Sequence, residues 1–150
     1  MGKKLHLKVI DLIANSKIPM VSIDSSLKEV IYEISKKRLG ATVVEENGII
    51  CGLITDGDIR RVLEKHENIS GLKAVEVMTH NPISVNENLL AFNALKLMQN
   101  KKINHLVVLK KDNVCIGIVH VLDLIKEDAL SVDNTDSQKP NLTGVIKGKG

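Results

Sequence analysis

Aromatic residues are almost absent from this sequence, whose 150 residues include one Phe, one Tyr and no Trp. Proteins that bind single-stranded nucleic acids stack the bases on aromatic side chains, so this scarcity disfavours that class. The formal net charge is only +3, and the lysines are interspersed with acidic residues rather than gathered into a basic patch. We therefore expect an aliphatic core and no nucleic-acid partner.

Several other signatures are missing as well. The cysteines, Cys51 and Cys115, are too few for a disulfide framework and lack the spacing of a zinc site. No apolar run reaches the roughly 18 residues of a membrane span, and no apolar signal segment follows the basic start. The sequence also lacks a phosphate-binding glycine loop and a recognisable nucleophile triad. These absences predict a cytoplasmic protein with no membrane segment and no catalytic residues in this chain.

One pattern occurs twice. The residues Gly-Leu-Ile-Thr-Asp-Gly-Asp at 52–58 correspond to Gly-Ile-Val-His-Val-Leu-Asp at 117–123, so that Thr55 matches His120 and Asp58 matches Asp123. In each copy an apolar strand runs into a polar residue and then into an aspartate near a helix start, where a hydroxyl, a carboxylate and free backbone N–H groups can converge on a ligand. The repeat predicts two related modules with a duplicated binding site.

Local patterns give the elements of the first module. Residues 26–39 have apolar side chains at helical spacing, Ser26 and Glu29 can form a capping box, and Gly40 is placed to end the helix. A two-stranded hairpin is expected next, with strands over residues 41–44 and 49–55, a turn at Asn47-Gly48 and a further helix beginning near Asp58.

The second module follows the same order. Asn88 is placed to cap a helix, and strands are expected over residues 106–109 and 114–119 with a turn near residues 112–113. A short extended segment containing proline precedes the first helix of each module. Because proline cannot donate to a strand ladder, these segments, with Pro19 and Pro82, are expected to be edge strands or entry loops.

The repeat resembles the tandem cystathionine-β-synthase-type (CBS) domain pair, a regulatory module that holds nucleotides between its halves. The resemblance covers roughly residues 9–129 and is carried by residues 52–61, by Val-Met-Thr-His-Asn-Pro at 77–82 and by residues 117–124. It implies an α/β (α+β) fold in which two βαββα-type modules, residues 9–70 and 74–129, pack as an intramolecular pseudo-two-fold pair. The polar residues 131–150 are expected to form a disordered tail.

A closer resemblance is to the C-terminal CBS pair of bacterial D-arabinose 5-phosphate isomerases, which follows a sugar-isomerase (SIS) domain and serves Kdo and lipopolysaccharide biosynthesis. It is carried by Ile-Pro-Met-Val at 18–21, Ser-Lys-Lys-Arg-Leu-Gly at 35–40, Thr-Asp-Gly-Asp-Ile-Arg-Arg at 55–61 and Ala-Leu-Lys-Leu-Met at 94–98. No SIS domain is present in this sequence. The resemblance therefore implies a non-catalytic regulatory region, coupled to an upstream SIS domain and homodimeric, which binds AMP or ATP, or CMP-Kdo, as a regulatory ligand and has no cofactor.

The same resemblance implies that Asp58 contacts a ribose and that Thr55 lies near a phosphate. The alternative is that Asp58 only caps its helix, a role that is compatible with binding. Arg60 could reach an anionic group through a charge-assisted hydrogen bond, whereas Arg61 is more readily placed on a solvated face. Asp123 matches Asp58 in the second module and is expected to hold a ligand in the same way.

Two histidines belong to the same expectation. His120 can donate to a phosphate, and more strongly when protonated, so affinity should rise towards acid pH. His105 could line the same cleft. A metal site made from this pair is disfavoured because no carboxylate or third nitrogen has suitable spacing beside it. Isomerase relatives often carry a further histidine at position 122, and the Leu122 found here leaves the ligand preference of the second site open.

A function of a different class fits the same sequence. The apolar helix faces could serve to dimerise a partner protein while the clefts stay empty, which would make the chain a structural assembly module.

Overall fold

The computed structural model describes residues 6–13 and 17–125, so the tail expected over residues 131–150 lies outside the described residues. The helices are α1 (Val9–Leu12), α2 (Leu27–Lys37), α3 (Asp56–Lys65), α4 (Ala74–Val77) and α5 (Ala91–Lys101). A further helix, α6, begins at residue 121 and is described to residue 125. The strands are β1 (Met20–Ser22), β2 (Ala41–Glu46), β3 (Ile49–Thr55), β4 (Thr79–His80), β5 (Ser84–Asn86), β6 (His105–Lys110) and β7 (Val114–His120).

The described strands form two sheets of the same plan. The first has the order β1-β2-β3-β4 and the second the order β5-β6-β7. In each sheet an edge strand runs parallel to the first strand of an antiparallel hairpin, and both hairpins have a register irregularity at the matching point, after Val44 and after Val108. The edge positions of β1 and β5 agree with the expectation drawn from Pro19 and Pro82.

Helix α2 begins as its sequence predicts. Ser26 Oγ accepts a hydrogen bond from the Glu29 N–H at 3.2 Å, and the Ser26 N–H donates to the Glu29 carboxylate at 2.8 Å, which completes the capping box. The helix ends at Lys37, two residues before the end of the expected stretch, because Arg38 adopts the left-handed conformation (φ 62°) and is itself the C-cap. Gly40, also at positive φ, follows the end of the helix instead of forming it.

Two expected helix starts were misplaced. Helix α3 begins at Asp56 rather than near Asp58, because Thr55 is the N-cap and Asp58 the third helical residue. Helix α5 begins at Ala91, and no side chain caps it. The Asn88 N–H instead donates to the side chain of Asn86 at 2.8 Å, so Asn88 belongs to the preceding turn.

The first half is built on the sheet β1–β4 and the second half on the sheet β5–β7. The two halves exchange helices. Helix α1 precedes the first sheet in the chain, yet its buried Val9 packs in the core of the second half with Met98 and Leu106, and the Val9 N–H donates to Leu89 O at 2.9 Å. Helix α4 packs in the core of the first half through Ala74, and β4 extends the first sheet. Helix α1 belongs to the first module in the sequence but completes the core of the second half, and α4 belongs to the second module but completes the core of the first half.

A third core cluster lies between the two sheets and joins the halves. It contains only small or branched aliphatic side chains, all buried: Ala41, Val43, Leu53, Val107 and Ile118. Because these side chains interdigitate without a polar group, the sheets can approach closely, and the carboxyl ends of β3 and β7 are held near each other.

Met78, the C-cap of α4, packs closely on β3, and this contact requires the glycine at position 52. A Cβ atom added to Gly52 would overlap the Met78 side chain, including its Cβ at 3.0 Å. We expect Gly52→Ala to lower the free energy of unfolding by about 1–3 kcal/mol, because overpacking forces the helix away from the sheet. Urea denaturation measures the change.

Gly71→Ala is the matched control, since a Cβ atom there would have no neighbour within 4 Å. Equal effects of the two substitutions would show that the contact between α4 and β3 is looser than described.

Candidate functional site

The two strand-to-helix junctions share one hydrogen bond, from the N–H of the last strand residue to the carboxylate of the aspartate three residues later. At the first, the Thr55 N–H donates to Asp58 Oδ2 at 2.9 Å and the Asp58 N–H donates to Thr55 Oγ1 at 3.2 Å. At the second, the His120 N–H donates to Asp123 Oδ2 at 3.0 Å, and His120 Nδ1 accepts from the Leu122 N–H at 2.9 Å. His120 thus takes the capping position that Thr55 holds in the first half.

A cleft of about 480 Å³, here called cleft A, opens between the halves beside the first junction. Thr55, Asp58 and Arg60 line it from the first half, while His105 and His120 line it from the second. Its volume falls in the range of small-molecule sites. The remaining lining residues are Gly40, Leu53, Asp56, Gly57, Arg61, Thr79, Asn81, Pro82, Ile83, Lys102, Ile103 and Asn104.

Asp123 lies elsewhere. It lines a neighbouring cleft of about 570 Å³, here called cleft B, where His120 is the one other predicted site residue in the lining. Gly40, Asp56 and His120 line both clefts. The remaining residues that line cleft B are Ile34, Ser35, Arg38, Leu39 and Leu122.

The clefts differ in charge. Cleft A places three permanent cations, Arg60, Arg61 and Lys102, against the carboxylates of Asp56 and Asp58. Cleft B places only Arg38 against the carboxylates of Asp56 and Asp123. Lining charges of one predominant sign attract ligands of the opposite sign, so cleft A is the better site for an anion.

His105 connects the halves. It is the first residue of β6, where the first half has the buried Ala41 at the start of β2. The extra side chain reaches across to the first half, where its Nε2 lies 3.1 Å from Leu39 O. Its ring packs edge to face against His120 with a centroid distance of 4.6 Å. The carbonyl partner assigns a proton to His105 Nε2, and the Leu122 contact assigns the proton of neutral His120 to its Nε2.

Burial determines the ionisation of His105. The pKa of His105 is lowered from its ordinary value of 6.5, mainly because burial disfavours the cation and further because His120 lies beside it. The bond to Leu39 and the carboxylates of Asp56 and Asp123 act in the opposite direction without outweighing burial. His105 is therefore neutral at neutral pH in the free protein.

Residues that the sequence reasoning missed complete cleft A. Lys102 and Asn104 lie between α5 and β6, Thr79 is the first residue of β4, and Ile83 directly precedes β5. Lys102 ends α5 in a left-handed conformation, as Arg38 ends α2. Lys102 takes the position in the repeat that Arg38 takes in the first half. This match is the signal for Lys102, since Arg38 lines cleft B.

A third cavity lies at the opposite end of the hairpins. It measures about 560 Å³ and none of the predicted site residues lines it. Its walls include the turn residues Gly48 and Asp112 and the adjoining Ile49 and Val114, both of which are exposed. Nothing in this lining pairs a carboxylate with a cation, so it gives no comparable basis for binding a sugar phosphate.

Neither a metal cluster nor a membrane-spanning helix is found among the described residues. Within residues 6–13 and 17–125, no group of three or more His, Cys, Asp or Glu side chains is arranged to hold a metal ion. Over the same residues, no helix has the length and apolar character needed to cross a membrane.

Curated relatives are similar over most of this chain. The arabinose 5-phosphate isomerase KdsD of Yersinia pestis is 38% identical over 128 residues, which cover 84% of this chain and 39% of the relative. KdsD of Escherichia coli strain K12 is 37% identical over the same shares of the two chains. The chain thus spans about two fifths of the length of the curated relatives it matches.

Solved structures share the fold. A CBS domain protein of Pyrobaculum aerophilum complexed with AMP has a TM-score of 0.74 at 21% identity, covering 86% of this chain and 98% of that one. The CBS domain of a bacterial CNNM/CorC family Mg²⁺ transporter in complex with ATP has a TM-score of 0.70 at 18% identity, covering 85% and 91%. The expected mixed α/β pair is confirmed. The CBS domain family model matches residues 9–65 and 74–130, and the chain therefore belongs to the CBS domain family.

Proposed function

We propose that this chain is a regulatory CBS pair that senses an adenine nucleotide, AMP or ATP, in cleft A. The observation that carries the proposal is that complementary groups line this cleft: the Asp58 carboxylate, the cationic Arg60 and Lys102, and two imidazoles. A carboxylate accepts hydrogen bonds from a ribose diol, whereas cations bind phosphate. A nucleotide carries both groups.

The comparisons support this choice of ligand. Two proteins of the same fold were solved with AMP and with ATP. CMP-Kdo, the other ligand implied by the resemblance to arabinose 5-phosphate isomerases, is a sugar nucleotide and presents a ribose as well. Since these two neighbours hold adenine nucleotides, AMP and ATP come first and CMP-Kdo serves as the competing ligand in the test.

The residues have complementary roles in this proposal. Asp58 accepts from the ribose, and Thr55 stands beside the phosphate at the start of α3, where the helix dipole favours an anion. Arg60 reaches the phosphate by a charge-assisted hydrogen bond. His105 and His120 meet the same phosphate from the second half. In cleft B, Asp123 holds a second and weaker ligand, because fewer cations line that cleft.

Binding in cleft A would act on the packing of the pair. A ligand that contacts both halves favours the arrangement in which they approach, by no more than its differential affinity for the two arrangements. Helix α1 begins at Val9 and packs on the second half, so a shift between the halves moves the start of the described chain relative to the first sheet. We propose that this movement is passed to a SIS isomerase domain upstream of Lys8, and that the CBS pair itself has no isomerase turnover.

An assembly role is the second candidate. Exposed apolar side chains lie on the helices that follow the two junctions: Leu63 on α3, and Leu122 and Ile125 on α6. Their exposed fractions of 51%, 58% and 44% are high for leucine and isoleucine, and such surfaces favour protein contacts. Sensing and dimerisation are compatible, so the proposal includes a homodimer formed through these helices.

The ligand assignment is tested by calorimetric titration of AMP, ATP and CMP-Kdo. Asp58→Asn keeps an acceptor for the Thr55 N–H but removes the negative charge. We expect it to weaken binding of the preferred nucleotide about tenfold or more, because a hydrogen bond to a charged group is lost.

Asp123→Asn makes the same change at the second junction and is the matched control. It should leave the tighter binding step unaltered. Equal weakening by both substitutions, or binding of none of the three ligands, would contradict the assignment to cleft A.

The pH dependence of binding follows from His105. A phosphate in cleft A raises the pKa of His105 above its lowered value in the free protein, so binding takes up protons. Affinity should therefore rise as pH falls through the raised pKa of the complex, and level off below the pKa of the free protein. Calorimetry in buffers of different ionisation enthalpy, between about pH 8 and pH 6, counts these protons.

His105→Gln keeps a hydrogen-bond donor and removes the titrating group. It should reduce the net proton uptake. The ligand phosphate, whose second pKa is about 6, loses protons rather than gaining them when cations surround it. Identical proton uptake by the variant and the parent protein would refute a role for His105.

The assembly candidate makes its own prediction. Leu63→Glu and Leu122→Glu together should shift the protein from dimer to monomer in light scattering, because the charges would be buried at the interface. A dimer that persists in this variant excludes these helices as the contact. If the parent protein dimerises but binds no nucleotide at millimolar concentration, assembly replaces sensing as the function.

A further inference from the structure

We propose that the Arg61 guanidinium binds the Asp58 carboxylate in the free protein, where the ribose would bind, and leaves it when a nucleotide binds. In the free state its guanidinium pairs with Asp58. In the complex the ribose diol takes over the carboxylate, and Arg61 turns to the ligand phosphate. This inference rests on the proposed binding of a nucleotide in cleft A.

The hydrogen bonds of Asp58 create the competition. Its Oδ2 accepts from the Thr55 N–H and is committed to capping α3. Its Oδ1 accepts from Arg61 Nη2 at 2.7 Å. A ribose diol that donates to Oδ1 therefore competes with Arg61 for that oxygen.

The ion pair between Asp58 and Arg61 can be broken easily and contributes little to stability. The Asp58 side chain is 14% exposed and fixed by the cap, whereas the Arg61 side chain is 61% exposed. An exposed pair three residues apart on a helix stabilises little, because water screens the charges and the long side chain loses freedom. Arg61 can leave Asp58 without disturbing the fold.

The Arg61 guanidinium lies over Gly57. A Cβ atom at Gly57 would lie 3.4 Å from Arg61 Nη1 and 3.5 Å from Nη2, so the guanidinium rests on the bare backbone at the start of α3. The same helix start faces cleft A, which Arg61 itself lines together with Arg60 and Lys102. A rotation of one flexible side chain therefore carries the guanidinium from the carboxylate to an anion in the same cleft.

Such an exchange sets the specificity of cleft A. A nucleoside competes with Arg61 for Asp58 and provides no new partner for the guanidinium. A nucleotide also competes with Arg61 but provides a phosphate, with which a guanidinium can form bidentate hydrogen bonds. Arg61 thus disfavours nucleosides relative to nucleotides.

The test compares adenosine with AMP, each titrated against the parent chain and Arg61→Ala, with weak ligands measured by competition. Adenosine affinity should rise about two- to fivefold, the loss of an exposed ion pair expressed as a ratio. AMP affinity should fall about tenfold, because a charge-assisted contact with phosphate is lost. The two ligands thus move in opposite directions.

Arg60→Ala is the matched control, since its guanidinium lines the same cleft one residue earlier. It should weaken AMP binding and leave adenosine unchanged. With 2′,3′-dideoxyadenosine, which lacks the diol, the gain in Arg61→Ala should disappear.

A change of the same factor and sign for adenosine and AMP in Arg61→Ala would overturn the exchange and leave Arg61 a structural residue. Weaker adenosine binding by this variant would overturn it as well. If the parent chain binds AMP and only the opposed shifts are missing, the exchange fails while the proposed sensor stands. If the parent chain binds neither ligand, both fail together.

Discussion

The contact between the two sheets is the constraint on which the site depends. Five aliphatic side chains fill it, and small residues such as Ala41 let the sheets approach closely. The exchange of α1 and α4 strengthens the contact, because the core of each half is completed by a helix from the other module of the sequence. Since β3 and β7 are held by this packing, the junction at Asp58 and the histidine at the start of β6 face each other across cleft A.

Duplication gives two similar junctions, and substitution then makes them different. Both keep an aspartate whose carboxylate caps the helix, so the backbone geometry is preserved. The polar partner changes from Thr55 to His120, and Ala41 is matched by His105. The imidazoles pack edge to face in the wall of cleft A, and His120 also lines cleft B. A pseudo-symmetric fold thus carries two clefts with different charge, and a residue shared by both can couple their occupancy.

Local elements were predictable because their signals are local. The capping box of Ser26 and Glu29 placed α2, and the turn at Asn47-Gly48 placed the first hairpin, since both depend on neighbouring residues. The start of α3 was misplaced because an aspartate at the third helical position and one at the N-cap are alike in sequence. Here the side chain of Thr55 takes the cap. Arg61 was expected on a solvated face, and it is exposed as expected while also pairing with Asp58.

Contacts between distant segments could not be read from the sequence. The packing of α1 on the second half and the bond from His105 to Leu39 join residues far apart in the chain, and periodicity does not report such pairs. The roles of Thr55, Asp58, Arg60, His105, His120 and Asp123 in binding stay predictions. What the structure adds is that all of these except Asp123 line one cleft.

A nucleotide in cleft A should touch both halves, and this can be tested by titrating the ¹⁵N-labelled chain with AMP and following backbone amide shifts in NMR spectra. We expect saturable shifts at both walls of the cleft, around residues 55–61 from the first half and residues 102–105 from the second. Shifts confined to the hairpin turns near Ile49 and Val114, or to one wall alone, would contradict it.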